Sequence, residues 1–247
     1  MKRGAIRVAA AGDVHASEER RDEIAAAFAS LDGAADLVLL AGDLTTHGEP
    51  DEAVPLAAAC EQLRVPVVAV LGNHDWHRDR AAEIAAVLAE AGAYVLDPGW
   101  TVLGVDGTRV GVAGTKGFVG GFPDSAMTDF GEPSLRRVYR ETTAEVEALD
   151  RGLAAIADCA LRIALLHYSP TQTTLAGEPR GLWAFLGSDR LSRPIAEHTP
   201  ELVVHGHAHA GTFEGYVGAV PVFNVAIPVM GKEFWIFELE GRDDGHV

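Results

Sequence analysis

The sequence predicts an α/β fold with a layered sheet. Three strand–helix units of similar length follow one another along the first part of the chain, the alternation such a sheet requires. Each aliphatic run closes on a polar motif, as strands do where they reach a ligand-binding rim. The 247 residues are 48% hydrophobic and 23% charged, enough apolar material for a real core in one large domain spanning 1–247.

Ile6 to Ala11 is a short apolar strand closed by Gly12-Asp13-Val14-His15. Ser17 is a candidate N-cap for a helix from Glu18 to Leu31, with Gly33 past its end. Leu37 to Ala41 is the second strand, closed by Gly42-Asp43, and the loop from Leu44 to Glu49 leads into a helix over Asp51 to Leu63. Pro66 to Leu71, mostly β-branched or aliphatic, is the third strand and ends in Gly72-Asn73-His74-Asp75. Taken alone that motif also reads as a polar turn, since Asn and Asp are turn-formers. Asp79 can cap a third helix, Arg80 to Ala91, with Gly92 as its stop.

The middle of the chain changes character. Trp100 to Val105 and Arg109 to Ala113 flank Asp106-Gly107-Thr108, a hairpin signal that turns the sheet antiparallel. Thr115 to Pro133 is a glycine-rich loop, long enough to suggest function or mobility. Ser134 opens a helix through Cys159, then come a strand from Ala160 to Leu166 and His167-Tyr168. A second long loop, Ser169 to Gly187, precedes a short helix over Asp189 to Glu197. Leu202 to Val204 is a strand ending at His205-Gly206-His207-Ala208-His209, and Gly215 to Val217, Val220 to Val225 and Phe234 to Leu239 read as further strands. Gly241 to Val247 is a polar tail expected to fray.

With 36 acids against 20 bases the formal net charge is −16, which repels phosphate backbones, so nucleic acid is not an expected partner unless cations sit in the site. Cys60 and Cys159 form no zinc motif and read as free buried thiols of a reducing compartment. The stretch after Lys2-Arg3 is too short for a secretory signal, Arg7 interrupts it, and no segment approaches the roughly 20 apolar residues of a membrane span. The expectation is a cytoplasmic protein.

Five polar motifs follow apolar strands: Asp13 with His15, Asp43, Asn73-His74-Asp75, His167, and His207 with His209. Such motifs at equivalent strand ends converge on one rim. Carboxylate, imidazole and amide oxygen without thiolate suit Mn, Fe, Zn or Co. Alternation along an extended segment would aim Asp13 with His15, and His207 with His209, each at one centre. Seven ligands suit two ions with Asp43 between them, and metals roughly 3.5–4 Å apart can share a hydroxide and clamp an in-line phosphoryl displacement.

In this order the motifs Asp-x-His, Gly-Asp, Gly-Asn-His-Asp, His and Gly-His-x-His resemble those of the calcineurin-like metallophosphoesterase superfamily, over Asp13 to His209. The resemblance implies a four-layer αββα sandwich of two mixed sheets flanked by helices, and two divalent or trivalent transition metal ions. It places Asp13, His15 and His209 on the first ion and Asn73, His167 and His207 on the second, with Asp43 bridging. His74 would face the leaving oxygen as its proton donor, and Asp75 would orient His74. The chain departs from the protein Ser/Thr phosphatase branch, whose second motif is Gly-Asp-x-x-Asp-Arg-Gly. Here Thr46 and His47 stand in place of the second Asp and the phosphate-binding Arg, and Asp75 in place of Glu, which argues against a phosphoprotein substrate.

Lys116, Tyr168 and His47 are candidate substrate contacts. Lys116 could meet a phosphate or be a solvated loop residue, Tyr168 could stack on a base or only pack, and His47 and His77 could line the pocket or be solvated. Phe118, Phe122 and Trp183 form a substrate wall or a local cluster, and His205 faces away from the ligands. The expected activity is hydrolysis of a small phosphomonoester or phosphodiester. The alternatives are a cyclic-nucleotide phosphodiesterase, a nuclease, or a non-catalytic scaffold. Oligomeric state is left open.

Overall fold

The computed structural model describes residues 5–242. The first sheet has the order β11-β1-β2-β3-β4, from β1 (Ile6–Ala11), β2 (Leu37–Ala41), β3 (Val67–Val70), β4 (Tyr94–Val95) and β11 (Trp235–Leu239). β1 to β4 are parallel neighbours and β11 adds antiparallel to β1. The second sheet is ordered β5-β6-β7-β8-β10-β9, from β5 (Gly99–Val105), β6 (Thr108–Thr115), β7 (Leu161–Leu166), β8 (Leu202–His205), β9 (Glu214–Val217) and β10 (Val220–Asn224). Its β6, β7, β8 and β10 are parallel, with antiparallel β5 and β9 at the edges.

The central strands are apolar on both faces because both faces are covered. Successive residues point to opposite sides. Ala9, Ala11, Val38 and Leu40 face outward, into a core with Ile24 and Phe28 of α1 (Arg21–Ala29), Leu56 of α2 (Pro50–Glu61) and Ile84 and Leu88 of α3 (Ala81–Glu90). Their neighbours Val8, Ala10, Leu37 and Leu39 face inward, against Val110, Val112, Ile163, Leu165 and Val204 of the second sheet. That sheet's outer face carries Ala164, Leu166 and Val203, packed by Val146, Leu149 and Leu153 of α4 (Pro133–Ala155) and Ile195 of α6 (Ser192–His198). Helices, sheet, sheet, helices: the four layers are there. Among the described residues no helix is long and apolar enough to cross a membrane.

Several boundaries differ from the sequence expectation. The first helix begins with a tight 3₁₀ turn, Glu18–Arg20, and the Ser17 side chain caps no backbone N–H. Asp79 has a left-handed backbone (φ 57°), so Arg80 takes the cap position of α3 instead. α4 stops at Ala155, short of Cys159. β4, α5 (Trp183–Leu186) and α7 (Ile227–Met230) leave no mark in the sequence pattern, being too short to show a period. Most of the polar tail, residues 243–247, lies outside the described residues, but Arg242 is held: its N–H donates to the Ala160 carbonyl at 2.8 Å and its guanidinium pairs with Glu201.

Candidate metal centre

The carboxyl ends of β1, β2 and β3 in one sheet meet those of β7 and β8 in the other. The rim is therefore shared by two sheets, not one. Asp13, His15, Asp43 and His207 have φ of 60°, 46°, 49° and 68°, a left-handed conformation that costs non-glycine residues energy and persists where surroundings enforce it. Here the enforcement is hydrogen bonding. Asp13 N–H donates to Gly42 O and His15 N–H to Asp43 O, both at 2.9 Å, and His207 N–H donates to the Asp13 carboxylate at 2.9 Å.

These turns remove the basis of the alternation argument, although Asp13 and His15 do share one group. The segments are not extended, and His207 and His209 go to different groups. Asp13, His15 and His209 bring one ligand atom each within 4.8 Å of one another, as do Asp43, His167 and His207, and a third set links His15, Asp43 and His74. Asp43 stands between them. Its Oδ1 is 3.3 Å from His167 Nε2, while its Oδ2 is 4.0 Å from His15 Nε2 and 3.9 Å from His74 Nε2. Two glycines make the approach: a Cβ on Gly42 (φ 81°) would sit 2.5 Å from the His167 ring, and one on Gly72 would sit 2.1 Å from Asp43 N.

The donor set fits cations. His167 Nδ1 is 2.9 Å from the Ala41 carbonyl, a bond it can only donate, which leaves Nε2 to face Asn73 Oδ1 at 2.9 Å and Asp43 Oδ1 at 3.3 Å. With an Nε2 lone pair, these three atoms form a ligand set that a positive ion would satisfy. Burial holds His15 down at about 4 and His207 at about 3, so both imidazoles are neutral and able to ligate. His207 Nε2 contacts the Phe185 carbonyl at 3.1 Å, leaving Nδ1 as its lone-pair nitrogen. Burial raises Asp43 to about 6 against the attraction of His167, with Asp13 and Asp75 adding to the rise. Asp13 also suffers burial, but the His209 hydrogen bond, at 2.7 Å, and the neighbouring imidazoles leave it below its ordinary value.

His74 is one-third exposed at the edge of this cluster. Its Nδ1 donates to the Thr46 carbonyl at 2.7 Å, which turns Nε2 toward Asp43. Asp75 does not orient His74 directly. It is fully buried and spends its carboxylate on Leu44 N–H (3.1 Å), Thr45 N–H (2.8 Å), Thr45 Oγ1 (2.6 Å) and Gly72 N–H (2.7 Å). These bonds fall on Leu44 and Thr45, beside the Thr46 carbonyl that meets His74.

The three candidate substrate contacts differ in their surroundings. Lys116 is buried, with Nζ 3.1 Å from the Gly117 carbonyl and 4.2 Å from the Phe118 ring centre. His47 is exposed and pairs with Glu52 at 2.7 Å. Tyr168 lies against His207, ring centres 4.4 Å apart. His77, weighed as either pocket or solvent, sits 4.3 Å from the His74 ring, and His205 turns away to Thr174 at 2.9 Å. Phe122 forms a local cluster with Leu175, Leu186 and Ala208, with Trp183 packed on it. The carbonyls of Ala41, Thr46 and Phe185 escape a reading of the sequence, since a backbone oxygen leaves no side-chain signal.

The profile of the calcineurin-like phosphoesterase family matches residues 6–211. The chain belongs to that family. It is accordingly a metal-dependent phosphoric ester hydrolase. No curated protein sequence gives a significant match. Among solved structures, the phosphopantetheinyl hydrolase of Mycobacterium tuberculosis superposes with a TM-score of 0.69 at 13% identity, over 92% of this chain and 91% of that one. A Thermus thermophilus protein gives 0.60 at 17% identity, over 95% and 99%. The anchor in the inner membrane complex of Plasmodium gives 0.58 at 12% identity, over 96% and 79%. At these identities the likeness is one of fold.

Proposed function

We propose that this calcineurin-like phosphoesterase hydrolyses a small phosphomonoester or phosphodiester at a pair of transition metal ions, Mn, Fe, Zn or Co. Asp13, His15 and His209 would hold one ion, Asn73, His167 and His207 the other, with Asp43 shared. The observation that carries this reading is the split Asp43 carboxylate, one oxygen toward His167 and the other toward His15 and His74. When bound, such ions supply Lewis acidity and activate water.

The protein's own groups do the rest. With Nδ1 fixed on Thr46, His74 in its imidazolium form presents Nε2–H to the departing oxygen and gives up that proton as the P–O bond breaks. Asp75 keeps the Thr46 carbonyl in place. The −16 charge elsewhere disfavours polymeric anions, which supports a small ester over a nucleic acid. A shared rim between the sheets supports reading 1–247 as one domain, and the free buried thiols of Cys60 and Cys159 support a cytoplasmic setting.

The test is hydrolysis of p-nitrophenyl phosphate, bis-p-nitrophenyl phosphate and cyclic nucleotides by metal-free protein and after loading with each metal. His74→Ala should keep its metal content and lose turnover chiefly with poor leaving groups. Equal loss across all leaving groups would remove His74 from the acid role, and no hydrolysis with any metal would favour a scaffold.

A further inference from the structure

Tyr168 follows His167 at the end of β7 and is only 5% exposed. Its ring is hemmed in: His207 lies 4.4 Å away between centres, His167 5.5 Å and Phe118 5.9 Å, and the Lys116 ammonium is 5.4 Å from the ring centre. Stacking on a nucleobase is thereby ruled out, because no face is open. The hydroxyl is a different matter. Among the described residues every fully buried side-chain nitrogen or oxygen has a hydrogen-bond partner, yet Tyr168 Oη has none. Its Oη is therefore the part of the residue that still reaches solvent, on a ring fixed against two proposed metal ligands.

Several candidate donors for an anionic ester are already engaged. Lys116 is engaged by the Gly117 carbonyl and lies 3.9 Å from Glu141. His47, where the protein phosphatase branch has its phosphate-binding arginine, is taken by Glu52. Arg20 donates to the Val14 carbonyl, and Arg78 pairs with Glu49. A phenol is a neutral donor at ordinary pH, and a phosphoryl oxygen is purely an acceptor.

We propose that Tyr168 Oη donates a hydrogen bond to a phosphoryl oxygen of the bound ester, an assignment that rests on the reading of the metal centre given above. The phenol keeps its proton throughout and serves to place the phosphoryl group and to strengthen its hold as charge shifts onto that oxygen. Tyr168 is then a substrate-contacting residue acting through its hydroxyl, and its ring is the fixed arm.

The experiment compares metal-loaded wild type with Tyr168→Phe, which keeps the ring and deletes Oη. The substrates are aryl phosphate esters of activated and unactivated phenols, and inorganic phosphate serves as competitive inhibitor. A lost hydrogen bond to a charged partner should lower kcat/KM by about ten- to a hundredfold. The loss should be the same for both leaving groups, unlike that of His74→Ala. The inhibition constant for phosphate should rise, with metal content and Tm unchanged. Tyr168→Ala, which also removes the ring, should in addition lower Tm. Wild-type turnover with Tyr168→Phe matching it in kcat/KM and phosphate inhibition would overturn the Tyr168 assignment alone. A wild type that neither hydrolyses any ester nor binds phosphate would overturn the reading of the centre and this assignment with it.

Discussion

Asp75→Asn tests the relay from a buried carboxylate to His74. Asp75 accepts four hydrogen bonds at 2.6 to 3.1 Å and is fully buried. In the variant the amide oxygen can keep the Thr45 N–H and hydroxyl, but the NH₂ group then faces the Leu44 and Gly72 N–H groups, donor against donor. Losing two bonds to a charged acceptor costs about 3–6 kcal/mol at about 1.5–3 each. Burial raises the Asp75 pKa, so the charged form is penalised and a neutral amide recovers part of that loss. A net destabilisation of about 2–4 kcal/mol follows. For a chain of this size that is a fall in Tm of about 5–15 °C. Released from Asp75, the 44–46 loop should also withdraw the Thr46 carbonyl from His74, so the remaining activity should be poorest with poor leaving groups. Thermal unfolding and a leaving-group series on one preparation read both effects. An Asp75→Asn protein that melts with wild type and shows the wild-type leaving-group dependence would refute the relay.

Two further substitutions probe the frame of the centre. Gly42→Ala should cost about 2–4 kcal/mol from the left-handed backbone and the forced contact with His167, and it should leave the protein short of metal; wild-type metal content by elemental analysis would contradict this. His205 is fully buried and its folded value is depressed to about 4 from the ordinary 6.5, with burial the chief cause. A depressed imidazole favours the neutral form in the fold, so its contribution is complete above pH 6.5 and is lost as pH falls toward 4, up to about 3 kcal/mol. Urea midpoints of metal-free protein between pH 7.5 and 5 should therefore fall less steeply for His205→Asn than for wild type, and parallel curves would count against it.

The strands and their polar ends were legible because both rest on composition. A run such as Leu37-Val38-Leu39-Leu40-Ala41 has one stable use, a strand covered on both faces, and Asp, His and Asn after it are visible as letters. The geometry between the letters was not legible. Alternation assumed extended backbone at Asp13, His15 and His207, where hydrogen bonds across loops impose left-handed turns instead. Asp75 sits next to His74 in sequence, yet its side chain turns to the β2 loop, where backbone N–H groups outcompete an imidazole. Arg242 reads as tail and is fastened by Ala160 and Glu201, a long-range pairing that no local pattern records.

The rim shared by two sheets has a mechanical consequence. Each proposed ion would draw ligands from both: Asp13 and His15 with His209, and Asn73 with His167 and His207. Metal binding is then a clasp across the inner core, and its free energy adds to the cohesion between the sheets as well as to chemistry. The ions would act as rivets at one end of a sandwich whose other end is held by apolar packing and by Arg242, which ties the end of β11 to Ala160 and Glu201. Stripping them would leave that edge to direct bonds such as His167 Nδ1 to the Ala41 carbonyl and His207 N–H to Asp13, so activity and resistance to local opening should fall together.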